Sequence, residues 1–320
     1  MATVHRDSRN IPPAAQGCVL ALGNFDGVHK GHRALIRAAA DIAREKNAPL
    51  GVVTFEPHPR RFFQPDAAPF RLTLPPMKQR LLSGLGVEHV FELTFDRAMA
   101  DRAAEDFIGQ VLAGDLRARH VVTGENFMFG KDRSGNVGTL AASGRFGFTA
   151  VAPVLSPARQ VYSSSVVRGL LKEARFDAAE EMLGWPWAIE AAVEHGDKRG
   201  RELGFPTLNQ RVADYVQIPH GIYAVRVLVE GETAGGAANK SLWRGGVASF
   251  GLRPMFETPQ PLFETFIFDF NREIYGKTVC VRPVRHLRPE AKFASLDALV
   301  RQIKEDCINA KAVLKSVPER

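Results

Sequence analysis

The sequence predicts a doubly wound α/β half followed by a smaller β-rich half that ends in one helix. Three observations carry this. Short apolar runs alternate with helical periodicities through the first half of the chain, which is how a mostly parallel sheet covered on both faces is written. Gly184-Trp185-Pro186-Trp187 breaks that rhythm, and strand-like alternation follows it. At 320 residues the chain has room for two domains of ordinary size, expected here as 1–184 and 185–320 with no long linker.

Composition narrows the class. Hydrophobic residues make up 45% and charged residues 24%, as in a soluble globular protein. No apolar run approaches the roughly 18 residues a membrane span needs, so no membrane partner is expected. Met1 to Pro13 is polar and reads as a frayed cytoplasmic start. Cys18, Cys280 and Cys307 are few, odd in number and far apart, which fits a reducing cytosol and no metal or redox motif. The formal net charge of +7 suits either nucleic acid or phosphate ligands. No helix-turn-helix, zinc finger or aromatic stacking signature is present. Phosphate substrates are therefore expected, and nucleic acid is not.

In chain order, Val19 to Leu22 reads as a strand and Ala34 to Ala43 as a helix, with Leu35, Ile36, Ala39 and Ile42 on one side. Between them runs Gly23-Asn24-Phe25-Asp26-Gly27-Val28-His29-Lys30-Gly31-His32, a strand-to-helix turn of the kind where α/β sheets bind ligands. Gly23 and Gly27 let the backbone turn. The helix start offers unpaired N–H groups, and Lys30 adds a charge, so the turn suits a polyphosphate. The two imidazoles also admit a zinc pair or surface positions, but no further ligands stand nearby.

Leu50 to Phe55, Val87 to Phe91, His120 to Thr123 and Phe148 to Val151 read as further strands, with helices at Met77 to Leu82 and Ala103 to Leu112. Thr54-Phe55-Glu56-Pro57-His58-Pro59 is a rigid loop at a strand end. Gly124 to Lys131 reads as a loop that closes on a ligand, where Asn126 offers both donor and acceptors. Ser163-Ser164-Ser165-Val166-Val167-Arg168 opens a helix, and an N-cap role alone would explain one hydroxyl.

In the second half, Ala188 to Glu194 reads as a strand that runs into Gly196-Asp197-Lys198-Arg199-Gly200-Arg201-Glu202-Leu203-Gly204-Phe205-Pro206-Thr207-Leu208-Asn209. Glycines at spacing four with cations between them suit a phosphate cradle or, equally, a hairpin loop. Thr207 and Asn209 carry oxygen ligands of the kind Mg²⁺ accepts. Glu264 lies in a strand-like stretch among aromatic residues, where burial would raise its basicity; a surface Glu is the alternative. The last helix is capped near Ser295 with Asp297 in its first turn, and its stripe Leu296, Leu299, Val300, Ile303, Cys307, Ala310 reads as core packing.

Taken together, these strings resemble one family over about Val19 to Lys311. The turn Gly-x-Phe-Asp-Gly-x-His-x-Gly-His is similar to the adenylylating half of prokaryotic bifunctional riboflavin kinase/FMN adenylyltransferases, the FAD synthetases. The string from Gly196 to Asn209 resembles their kinase motif, and Leu287 to Phe293 a later segment beside their flavin site. The resemblance implies a nucleotidyltransferase-like domain and then a small antiparallel β-barrel with a C-terminal helix. It implies riboflavin, FMN, FAD and ATP as ligands and Mg²⁺ as cofactor. By residue, it implies ATP and phosphate contacts at Gly23, Phe25, Asp26, Gly31, Ser164, Ser165 and Arg168, and in the second half at Gly196, Lys198, Gly200 and Gly204. It assigns catalysis to His29, His32 and Glu264, flavin contacts to Pro57, Asn126 and Arg288, and Mg²⁺ to Thr207 and Asn209. Lys78 falls in a further matching patch to which no role attaches. The sequence departs from the family pattern at Ser249, Met255 and Phe266. A flavin carrier without turnover, and a kinase with a decayed adenylylating half, are the competing readings.

Overall fold

The computed structural model describes residues 1–196, 200, 203–212, 214–229, 243–252 and 261–317. The chain forms two compact units. The first comprises Met1–Ala68 with Pro75–Ser164, the second Pro69–Leu74 with Ser165–Arg320.

The first unit is built on six parallel strands: β1 (Thr3–His5), β2 (Val19–Leu22), β3 (Leu50–Glu56), β4 (His89–Thr94), β5 (His120–Gly124) and β6 (Gly147–Val151), in the order β1-β4-β3-β2-β5-β6. Successive residues of each central strand feed opposite faces. Leu20, Leu22, Val53 and Phe91 join the cluster over Ile108, Val111 and Leu112, while Val19, Ala21, Val52 and Val90 pack on Leu35, Ile36 and Ala39. Burial on both faces is why these strands read as unbroken apolar runs. The chain winds from β2 toward β3 and β4 on one side and to β5 and β6 on the other. The order therefore reverses between β2 and β5, and the loops after those two strands flank that switch point.

Three sequence expectations need correction here. Met1 to Pro13 is not frayed, because Thr3–His5 adds a parallel edge strand to β4, with the Thr3 amide donating to the Glu88 carbonyl at 2.8 Å. The helix expected at Ala103 to Leu112 is one short α-turn, Ala104–Asp106, continuing as a π-helix over Phe107–Asp115. The helix after β2 begins at Lys30, with His29 as its N-cap, rather than at Ala34.

The second unit is a nearly closed antiparallel barrel of six strands: β7 (Ile189–Ala192), β8 (Thr207–Arg211), β9 (Gly221–Val229), β10 (Arg244–Leu252), β11 (Pro261–Ile267) and β12 (Thr278–Arg288), in the order β7-β12-β9-β10-β11-β8. The two edges meet where the Glu194 amide donates to the Asn209 carbonyl at 2.8 Å and Gln210 Nε2 to the Ala191 carbonyl at 2.7 Å. Tyr223, Phe250 and Phe263 are fully buried and lie on the alternation that fills the interior. The opposite alternation, with Ala224, Val247 and Phe266, packs under the C-terminal helix Leu296–Ser316. Ser295 caps that helix by accepting from the Ala298 amide, and the buried Arg226 donates to the Leu314 and Val317 carbonyls at its far end.

The segment Pro69–Leu74 belongs to this second unit. Arg71 bridges Tyr215, Trp187 Nε1 donates to the Leu72 carbonyl at 2.9 Å, and Arg168 Nε donates to the Phe70 carbonyl at 2.7 Å.

Candidate active sites

In the first unit the turn after β2 is tightly made. Phe25 is fully buried at φ 50°, Val28 takes φ 39° and Gly27 φ 83°, so three residues in four use the left-handed region to reverse the chain. The His29 ring nitrogen Nδ1 accepts from the His32 amide at 3.3 Å, which puts the ring proton on Nε2 and makes that edge a donor. The two imidazoles stack with centroids 3.6 Å apart, and the Phe25 ring meets His32 edge-on at 5.1 Å. A side chain at Gly31 would press on the Tyr162 carbonyl at 3.0 Å and on the His29 ring at 3.1 Å. Ser164 Oγ donates to the Asp26 carbonyl at 2.8 Å, tying the start of the helix Ser164–Lys172 to this turn. Gly23, Phe25, Asp26, His29, Gly31, His32 and Ser164 thus stand on one connected structure. Ser165 and Arg168 continue the same helix in the second unit.

Asn126 sits exposed in the loop after β5, on the other side of the switch point. That loop is pinned by paired amide–carbonyl bonds between Phe129 and Gly135, and Gly130 at φ 72° lies where any Cβ would strike Ala104 at 2.8 Å. Pro57 follows β3 on an exposed turn.

Two features of this unit escaped sequence reasoning. The first is a buried network. Lys78, 1% exposed, donates from Nζ to Glu56 Oε1 at 2.9 Å and to Thr54 Oγ1 at 3.1 Å; Thr54 Oγ1 in turn donates to the Asn24 carbonyl at 3.2 Å. A lysine on the helix Pro75–Ser83 therefore reaches the turn after β2 through one threonine. The second is an aromatic cluster at the carboxyl ends of β3 and β4. Phe55 and Phe95 lie 5.7 Å apart, Phe62 and Phe95 5.4 Å, and Phe107 and Phe129 5.7 Å. The phenylalanines are scattered over 75 residues of sequence, so only the fold assembles them.

In the second unit a cavity of about 660 Å³ opens between the outer face of the barrel and the C-terminal helix. Strand register explains its lining. Asn209 pairs with Glu264, Glu264 with Ser249, and Ser249 with Ile222, which stands opposite Arg288. Directly paired residues share a face, so Asn209, Glu264, Ser249, Ile222 and Arg288 form one row, all of them lining the cavity. Thr207 and Phe266 form the next pair on the same face. Glu264 is half-buried on this outer alternation, flanked in sequence by the core residues Phe263 and Thr265. It looks into the cavity from the outer face of the barrel, a setting between the buried and the surface carboxylate that the sequence left open.

Each predicted glycine has a physical reason. A Cβ at Gly196 would lie 2.3 Å from Asn209 Nδ2, and one at Gly200 2.4 Å from the Phe205 carbonyl oxygen. Gly204 takes φ 83°. Asn209 Oδ1 is buried and accepts no hydrogen bond from the described residues, which makes it an oxygen donor suited to a hard cation. Lys198 lies outside the described residues, as does Met255. Among the described residues no group of three or more His, Cys, Asp or Glu side chains could hold a metal ion. The apolar stripe of the C-terminal helix is not all core packing: Leu299 and Ile303 line the cavity, and Leu296 is 60% exposed. No helix among the described residues is long and apolar enough to cross a membrane.

Comparison with known proteins matches the two halves of the chain to two different family models. Residues 11–165 match the FAD synthetase family model, and residues 183–314 match that of riboflavin kinase. The bifunctional riboflavin kinase/FMN adenylyltransferase of Escherichia coli strain K12 is 38% identical over 310 residues, 96% of each chain. The protein of the same description from Bacillus subtilis is 36% identical over 296 residues, 90% of each chain. A solved structure described as a macrolide-efflux protein from Streptococcus pneumoniae has a TM-score of 0.81 at 29% identity and covers 99% of each chain. With both family models matched in order and curated relatives similar over nearly the whole length, the chain belongs to the bifunctional riboflavin kinase/FMN adenylyltransferase family.

Proposed function

We propose that this chain makes FAD from riboflavin in two steps, one on each side of the boundary at Gly184/Trp185. The part after it transfers the γ-phosphoryl group of ATP to riboflavin, giving FMN and ADP. The part before it transfers the adenylyl group of a second ATP to FMN, giving FAD and pyrophosphate. The observation that carries the kinase reading is the row Asn209–Glu264–Ser249 across three neighbouring strands, open to a cavity of flavin size. We place the functional boundary at Gly184/Trp185, where Gly184 closes a helix at φ 77° and the riboflavin kinase match has begun.

In the kinase step Glu264 accepts the proton of the riboflavin 5′-hydroxyl as its oxygen attacks the γ-phosphorus. Gly196, Lys198, Gly200 and Gly204 are assigned to the ATP phosphates. Thr207 and the buried Oδ1 of Asn209 would hold Mg²⁺. Bound there, the ion supplies charge neutralisation for the transferring phosphoryl group. Arg288 contacts the flavin ring.

In the adenylylation step a phosphate oxygen of FMN attacks the α-phosphorus of ATP. A phosphate monoester is already anionic at neutral pH, with its second ionisation near ~6, so no protein base is needed. The work is alignment and stabilisation of charge on the leaving pyrophosphate. Gly23, Phe25, Asp26 and Gly31 shape the turn. His29 and His32 offer ring donors beside Ser164, and Ser165 and Arg168 are the further residues assigned to ATP phosphates. Asn126 and Pro57 lie at the flavin, for which the Phe55–Phe95–Phe62 cluster offers flat apolar rings.

The test is an incubation of purified protein with riboflavin, ATP and Mg²⁺, with flavins separated over time. FMN rising first and FAD following is expected. Glu264→Gln should lower FMN formation by about 10²–10⁴-fold, the range for loss of a general base, while FMN-to-FAD conversion persists. His32→Ala should do the reverse. Kinase turnover near the wild-type rate in Glu264→Gln would remove Glu264 as the base, and undiminished FAD synthesis in His32→Ala would remove the His29/His32 site.

A further inference from the structure

The C-terminal helix carries a charge where its stripe calls for an apolar residue. Ile303, Asp306 and Ala310 follow one another at helical spacing on the face toward the barrel, and the Asp306 side chain is only 5% exposed. Its carboxylate is fully engaged with Arg288. Arg288 Nε donates to Oδ1 at 2.9 Å and a terminal nitrogen to Oδ2 at 2.7 Å, while Gln302 Nε2 donates to Oδ1 at 3.2 Å. The other terminal nitrogen of Arg288 donates to the Pro289 carbonyl at 3.0 Å.

A buried ion pair is a poor device for stability, since well-packed apolar residues usually do as well. What it does achieve is direction. Among the described residues, three of the five guanidinium N–H donors have partners, which leaves one on each terminal nitrogen toward the cavity that both residues line. The carboxylate also offsets the positive charge, so Arg288 presents oriented donors rather than a bare cation. Such an edge suits the carbonyl side of an uncharged planar ring better than a phosphate. Its position agrees. Arg288 and Glu264 line the same cavity from strands three apart in the sheet order, so one ligand spanning the cavity can meet both.

We propose that Asp306 is a positioning residue for the flavin: it fixes the Arg288 guanidinium as a charge-balanced donor edge for the ring carbonyls, at the end of the cavity away from Glu264. The proposal rests on the kinase reading of this unit. It is tested with wild type, Asp306→Asn, Arg288→Gln and the double variant. Riboflavin binding is followed by quenching of its fluorescence with Mg²⁺ and ADP present, beside steady-state kinase kinetics. Thermal unfolding and FMN-to-FAD conversion report whether each variant chain is folded.

Asp306→Asn should raise the riboflavin Kd and KM by about tenfold, the size of one directional hydrogen bond, with kcat falling far less. In the double variant the loss should match that of Arg288→Gln alone. An unchanged Kd in Asp306→Asn overturns the proposal. So does a loss shared equally by kcat and the KM for ATP, which is the mark of a merely structural role, and so do additive losses in the double variant. Wild-type protein that binds riboflavin without turning it over removes the kinase reading, while the Kd comparison still decides Asp306. Wild-type protein that binds no riboflavin overturns both.

Discussion

Gly196→Ala isolates one atom-sized demand of the proposed kinase site. Gly196 does not use the left-handed region, so alanine is compatible with its backbone, and the substitution acts through space alone. The added methyl would stand 2.3 Å from Asn209 Nδ2 and 2.7 Å from its Cγ, against the 3.4 Å of ordinary contact. The Asn209 carboxamide has to retreat by about 1 Å, and it is held by a strand paired on both sides, to Glu264 and to Glu194. A misplacement of ~1 Å at a reacting centre costs on the order of 10²-fold in rate. Riboflavin phosphorylation should therefore fall about 10²-fold in kcat/KM, while FMN-to-FAD conversion by the first unit holds. The assay is initial-rate formation of FMN from riboflavin with saturating Mg²⁺ and ATP, read beside FAD formation from supplied FMN. A loss of less than threefold, in a chain that melts like wild type, would refute the reasoning: either the turn at Gly196 yields instead of Asn209, or the Asn209 oxygen has no part in the reaction.

Two further outcomes follow from buried groups of the first unit. Lys78→Met keeps the hydrocarbon stem but leaves Glu56 and Thr54 without the ammonium; because Glu56 is 19% exposed, the cost should sit near the low end for a broken buried pair, about 3 kcal/mol or roughly 6–12 °C in melting temperature. Through the Thr54–Asn24 bond the same change should raise the KM for ATP in FAD synthesis, and wild-type melting and KM together would discard the network. His5 and His120 both have their pKa lowered below 6.5, by burial first and then by His89 and Lys46 respectively. The unfolded chain therefore binds more protons below about 6.5, and the stability these residues contribute above that pH is lost as pH falls through it. The first unit should melt at lower temperature at pH 5.5 than at 7.5, with a shallower slope in His120→Gln; an unaltered slope would count against burial as the cause.

What the sequence could show was decided by range. The turn from Gly23 to His32 was legible because its backbone reversal and helix start are local and demand particular residues in a row. Gly196, Gly200 and Gly204 were legible for the same reason, each meeting a neighbour or a positive φ within a few residues or across one strand pair. The start of the helix at Lys30 was misjudged because His29 caps through a ring nitrogen, which no Ser or Asp signature announces. β1 has three residues, too few for any period, and exists because β4 offers it an edge. The π-helix at Phe107–Asp115 differs from an α-helix in its hydrogen bonds, not its composition. The docking of Pro69–Leu74 in the second unit depends on partners more than 90 residues away and leaves no local trace. Asp306 carries no sequence signal for its partner, because Arg288 meets it only through the packing of the helix against the barrel.

The barrel also explains why the cavity lies outside it. A six-stranded barrel is filled by its own side chains, and here Tyr223, Phe250 and Phe263 occupy that space with essentially no exposure. A ligand site has to form on the outer face, and the C-terminal helix supplies the second wall. Along β11 the alternation then divides the work: Phe263, Thr265 and Ile267 are buried, while Glu264 and Phe266 face the cavity. A slip of one residue in the β8–β11 pairing would turn Glu264 into the core and Phe263 into the cavity. The energy that forbids the slip is the burial of those three core side chains, so the packing that holds the fold is also what aims the carboxylate at the cavity.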